Sequence, residues 1–212
     1  MNQTEKRCYD LKEFRAVTGE GNEKYIEGHA AVFEQKTDIG GYFFEVIDRG
    51  AFDDEKALRD VALFVNHDFR QIPLARSRHN NGNSTMTLKV DDVCLAIRAK
   101  LDVENNPDAK ALYSAVERED LSGMSFAFSV DAEEWQDLKS EKPTRRIKKI
   151  GRVFEVSAVA FPAYEGTDIS ARALNTLENA KKALDNANNR SQADDMAELE
   201  LYKSKNKILG GF

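Results

Sequence analysis

Three side chains in this sequence could together carry out acyl transfer. Ser125 lies in Met124-Ser125-Phe126-Ala127-Phe128-Ser129-Val130, His67 in Asn66-His67-Asp68, and Glu155 in Val153-Phe154-Glu155-Val156-Ser157-Ala158-Val159. A serine becomes a nucleophile when a neighbouring base takes its proton, and a carboxylate can hold an imidazole base in the useful tautomer. Strict alternation around Ser125 puts Ser125, Ala127 and Ser129 on one face and Met124, Phe126, Phe128 and Val130 on the other. The small residues would leave an open floor along which a peptide could lie. The same pattern also suits a serine that faces solvent on a half-buried strand. Alternation sets Glu155 beside Val153, Ser157 and Val159. A carboxylate on a covered face needs a partner, for which an imidazole is suited, whereas on an exposed edge it needs none. His67 follows the apolar run Val61-Ala62-Leu63-Phe64-Val65 and would project from a strand end. His29 falls inside a strand and His79 in a polar loop, so His67 is the best candidate base. Cys94 offers a rival nucleophile, but its setting in Val93-Cys94-Leu95-Ala96-Ile97 is that of a buried, inert thiol.

The elements that must position these groups are mostly strands. Short apolar runs separated by turn residues predict strands at Tyr25–Phe33, Tyr42–Ile47, Val61–Val65, Thr85–Val90, Val93–Leu101, Met124–Val130 and Arg152–Ala160. Helical patterns cover Asp53–Arg59 and Pro107–Arg118, the second preceded by an Asn cap and opened by Pro107. Glu133–Pro143 is polar and lacks a sustained period, which predicts a loop joining the last two strands. After about Asn175 the texture turns to Asn, Ala, Lys, Asp and Glu with sparse Leu. This predicts a helical or partly ordered tail broken near Asn188-Asn189-Arg190-Ser191. The expected organisation is one main domain, residues 1–174, followed by a tail, residues 175–212.

Composition narrows the function. Of the 212 residues, 41% are hydrophobic and 32% charged, a balance for a folded soluble chain rather than a disordered one. A net charge of −6 argues against a nucleic-acid binder. The cluster Arg145-Arg146-Ile147-Lys148-Lys149 could touch a phosphate but better suits a solvated strand or loop. Cys8 and Cys94 supply neither a disulfide framework nor metal-ligand spacing, and nothing calls for a cofactor. No run approaches the ~18 apolar residues of a membrane span, and the polar start has no signal-peptide core behind it.

Taken in order, several segments resemble the phage prohead protease family, the capsid-maturation serine peptidases of tailed phages. They are Gly28-His29-Ala30-Ala31-Val32-Phe33, Glu45-Val46-Ile47-Asp48-Arg49-Gly50-Ala51-Phe52, Asn66-His67-Asp68, Asp120-Leu121-Ser122-Gly123-Met124-Ser125-Phe126, Glu155-Val156-Ser157 and Pro162-Ala163-Tyr164. The resemblance runs from about Tyr25 to Arg172. It implies an α+β fold, mostly an antiparallel β-barrel flanked by helices and distantly similar to herpesvirus assemblin. It implies Ser125 as nucleophile, His67 as general base and Glu155 as third member, with no cofactor. The implied substrates are the scaffolding segment of the major capsid protein and the protease itself, cut inside the assembling prohead in the host cytoplasm. The oligomeric state stays open, a homo-oligomer included. A non-enzymatic assembly or scaffolding factor with the same fold is the alternative, although such a protein has no physical reason to keep the three side chains. The sequence departs from the family at Glu119 and Ala75, where glycine is usual, and at Phe161, where a polar residue commonly precedes Pro162. If either glycine position requires a positive φ, the replacement adds about 1–2 kcal/mol of strain.

Overall fold

The computed structural model describes residues 4–10, 14–160 and 173–186, which fall in two units, Met1–Ser170 and Ala171–Phe212. In the first unit the strands are β1 (Glu5–Asp10), β2 (Arg15–Thr18), β3 (Lys24–Val32), β4 (Thr37–Ile39), β5 (Phe43–Ile47), β6 (Ala62–Val65), β7 (Ala75–Arg76), β8 (Met86–Val90), β9 (Cys94–Leu101), β10 (Gly123–Gln136) and β11 (Thr144–Val159). Among the described residues of this unit one helix, α1 (Pro107–Glu117), stands with them. Asn106 caps it by accepting from Asp108 N and Ala109 N, and Pro107 occupies the first turn, where its missing N–H costs nothing. Ala109, Leu112, Tyr113 and Val116 repeat at helical spacing and form its buried face. Asp53–Arg59 is not a full helix but a short 3-10 turn, Glu55–Leu58. In the second unit the described helix is α2, residues 173–186. The predicted break at 188–191 and the departure at Phe161 lie outside the described residues.

The strands form two sheets rather than the expected closed barrel. One is seven-stranded, with β1, β10, β11, β5 and β4 in order and β6 and β7 joined through β11. The other is four-stranded, in the order β2, β3, β9 and β8. Nor is the larger sheet wholly antiparallel, because β11 is long enough to take two parallel partners along one edge. Thr144–Ile147 pairs with β5 and Glu155–Ala158 with β6. A shared core lies among the elements, with Met124, Phe126, Phe128 and Val130 of β10 in one cluster with Ile26, Leu95 and Ile97 of the smaller sheet.

The polar stretch expected as a loop is mostly strand. β10 continues through Glu133–Gln136, paired with Thr144–Ile147 of β11, and the connection is only residues 137–143. Two interactions offset its polarity: Arg145 bonds Glu133, and the Trp135 ring packs edge-on against Phe43 at 5.1 Å between centroids. The basic cluster lies on a strand as expected, with Lys148 and Lys149 exposed, but its arginines are drawn inward. Arg145 is fully buried, Arg146 pairs with Glu34 and Asp48, Lys148 with Asp48 and Glu134, and Lys149 with Asp54.

Candidate active site

The two long strands set Ser125 and Glu155 on one face by register. Ser125 stands opposite Ser157, and Ala127 opposite Glu155. Directly opposed residues share a face, so one surface carries Ser125, Ala127, Glu155 and Ser157. The methyl of Ala127 leaves the space between hydroxyl and carboxylate unfilled. A register shift follows, with Phe128 facing Val153 rather than Phe154. Strict alternation placed Val153 beside Glu155, but the bulge turns it into the core with Phe128.

β6 brings the third group. It runs parallel to β11, with Phe64 opposite Ser157 and Val65 opposite Ala158. Asn66 and His67 then enter the left-handed region, at φ 48° and 57°. Neither is glycine, so the turn is strained, a feature concentrated where a side chain must be aimed. Asn66 N donates to Ala158 O at 3.0 Å, and His67 N donates to Ser157 Oγ at 3.1 Å.

The turn delivers the imidazole between the other two groups. His67 Nε2 is 2.7 Å from Ser125 Oγ, and His67 Nδ1 is 2.5 Å from Glu155 Oε1. All three are buried, Ser125 and Glu155 completely. Ser125 therefore does not sit on an open floor, nor does it face solvent. A buried carboxylate that accepts from Nδ1–H leaves Nε2 as the acceptor facing the hydroxyl, the arrangement needed to draw off a serine proton.

Sequence reasoning missed the role of Ser157. Its hydroxyl donates to Glu155 Oε2 at 2.6 Å while accepting from the His67 amide, so one side chain steadies the carboxylate and the histidine turn together. The available signal was its position two residues beyond Glu155, on the same face. The neighbouring residue is Asp68. It is held by Arg70, whose hydrogen bonds pull the Asp68 carboxyl down to about 2.

Other candidates lie elsewhere. His29 is on β3 of the smaller sheet, and His79 sits in an exposed turn at φ 61°. Cys94 is buried on β9, with its thiol 3.7 Å from Asp91. Of the two replaced glycines, Glu119 has a φ of 62°, whereas Ala75 is in β7 and is not in the positive-φ region. An open cleft of about 460 Å³ adjoins His67 through Asn66 and Asp68 and reaches Leu112 and Ala115 of α1.

A family model described as caudovirus prohead serine protease matches residues 11–183. Among solved structures, the bacteriophage T4 capsid assembly protease, gp21, is similar at 12% identity and a TM-score of 0.44, over 74% of this chain and 97% of that one. No curated protein matches the chain.

Proposed function

Because this chain belongs to the caudovirus prohead serine protease family, we propose that Ser125, His67 and Glu155 are its nucleophile, general base and orienting carboxylate. Its substrates are the scaffolding segment of the major capsid protein and the protease itself, cut within the assembling prohead in the host cytoplasm. The observation that carries the residue roles is the imidazole bridging a hydroxyl at 2.7 Å and a carboxylate at 2.5 Å.

In the acylation step Ser125 Oγ bonds to the scissile carbonyl carbon while its proton passes to His67 Nε2. The negative charge of Glu155 stabilises the imidazolium so formed. The tetrahedral intermediate collapses as the C–N bond breaks, and His67 gives its proton to the departing amine. Water then attacks the acyl-enzyme, losing a proton to the same nitrogen. The ester bond to Ser125 breaks, the Ser125 oxygen regains that proton, and the carboxylic acid product leaves. Burial strengthens each of these electrostatic contacts relative to water.

A serine-directed fluorophosphonate tests the assignment. The expected result is a single adduct mapped by mass spectrometry to Ser125, formed by the wild type and lost in His67→Ala. Labelling of a different serine, or undiminished labelling of His67→Ala, contradicts it.

A further inference from the structure

β10 has two edges beside Ser125. β11 takes one, and β1 takes the other along Gly123–Phe128, with Cys8 directly opposite Ser125. Among the described residues β1 is the outermost strand of the sheet on this side and pairs with β10. Its backbone lies where an extended peptide adding to this edge would have to lie.

The overlap extends to the chemistry. Ser125 Oγ is placed to donate to the Arg7 carbonyl oxygen at 2.9 Å. A hydroxyl carries one proton. With Nδ1–H given to Glu155, Nε2 must receive that proton for the serine to be activated, so Arg7 O at 2.9 Å competes for it with the base at 2.7 Å. β1 in this position supplies the nucleophile with a second acceptor beside the base.

The Arg7 side chain occupies a recess built for it. Its guanidinium makes two bonds to Glu45, at 2.5 and 2.8 Å, and lies 5.7 Å from the centre of the Phe128 ring. Both Arg7 and Glu45 are buried. If β1 leaves, Glu5 departs with it, and Arg145 remains against Glu45 and Glu133. Two carboxylates then face one guanidinium where three had faced two, and Glu45 Oε1 loses the Arg7 Nε–H that it accepts.

We infer that this edge of β10 is the substrate-strand site, that β1 is its resident occupant, and that Glu45 selects an arginine or lysine on the acyl side of the scissile bond. The inference rests on Ser125 being the nucleophile. The residue whose carbonyl meets Ser125 is the residue whose side chain reaches Glu45, which couples strand addition to side-chain selection. An apolar residue there would leave buried Glu45 short of a partner, a source of strong discrimination.

The test uses full-length protein and the fluorophosphonate labelling rate of Ser125, with Ser125→Ala as background. Lys6→Pro, which disrupts β1 without altering the recess, should label at least about 10-fold faster than wild type, because the competent fraction rises. Should Lys6→Pro lose its near-ultraviolet circular dichroism, Arg7→Ala carries the same comparison. A synthetic peptide of the Glu5–Asp10 sequence should protect the released variant, and the same peptide with glutamate in place of its arginine should need about 10-fold more for equal protection. Equal labelling of wild type and folded variant, or equal protection by both peptides, overturns the inference while leaving the nucleophile assignment standing. Absence of Ser125 labelling in every folded form overturns both.

Discussion

Glu155→Gln isolates the charge at the centre of the site while keeping its shape. In the wild type, Glu155 Oε1 takes the Nδ1–H of His67 and Oε2 takes the hydroxyl proton of Ser157. Glutamine can satisfy only one of these partners in the wild-type manner. If its oxygen faces His67, its NH2 meets Ser157 Oγ, which already accepts from the His67 amide. If the amide is reversed, the NH2 faces Nδ1 and forces the proton onto Nε2, the tautomer that cannot deprotonate Ser125. In either orientation the imidazolium loses its buried counter-charge. The expected loss in kcat is about 10²–10⁴-fold, or about 3–5 kcal/mol of barrier, with KM little changed. Hydrolysis of a quenched fluorescent peptide measures it, alongside a thermal melt that verifies folding. A folded Glu155→Gln enzyme within about threefold of wild type would refute the reasoning, since no charge-supported base could then be at work.

Three further outcomes follow from the same contacts. Ser157→Ala removes a hydrogen bond to a buried carboxylate worth about 1.5–3 kcal/mol, so peptide hydrolysis should fall about 10- to 100-fold in kcat with KM unchanged. Arg145→Met leaves Glu5, Glu45 and Glu133 without their shared cation and should lower unfolding free energy by about 3–5 kcal/mol, as read by denaturant titration. Burial alone would lower the Arg145 pKa, but the three carboxylates outweigh it and leave the net shift upward, which marks how strongly they hold the charge. Exposed Glu119 sits at φ 62°, so Glu119→Gly should raise stability by about 1 kcal/mol and Tm by about 2–4 °C with activity unchanged.

Much of the site was legible because its strands carry strong patterns. Met124–Val130 alternates without interruption, and that alternation correctly separated the Ser125 face from the face bearing Phe126 and Phe128. The resemblance noted from Tyr25 to Arg172 falls within the family match over residues 11–183. β1 was illegible for a physical reason. Glu5-Lys6-Arg7-Cys8-Tyr9-Asp10 has the composition of a solvated terminus, yet Glu5 and Arg7 are buried, paired with each other and with Arg145 and Glu45 far away in sequence. The extension of β10 through Glu133–Gln136 escaped notice for the same reason, since polar residues are stabilised there by cross-strand partners that periodicity does not reveal. Periodicity also does not say which strands pair. It could not show that β11 divides one edge between β5 and β6, the arrangement that carries His67 to Glu155 and replaces the expected barrel with two sheets.

Attack of Ser125 on a peptide bond of the capsid protein is open to a direct test. Co-expression of the protease with its major capsid protein, wild type beside Ser125→Ala, followed by intact-mass analysis, tests it directly. The expected result is a discrete trimming in the wild type that Ser125→Ala abolishes, in line with the loss of about 10⁶-fold for a removed nucleophile. The same trimmed mass appearing with Ser125→Ala, under conditions where the capsid protein alone stays intact, would contradict it.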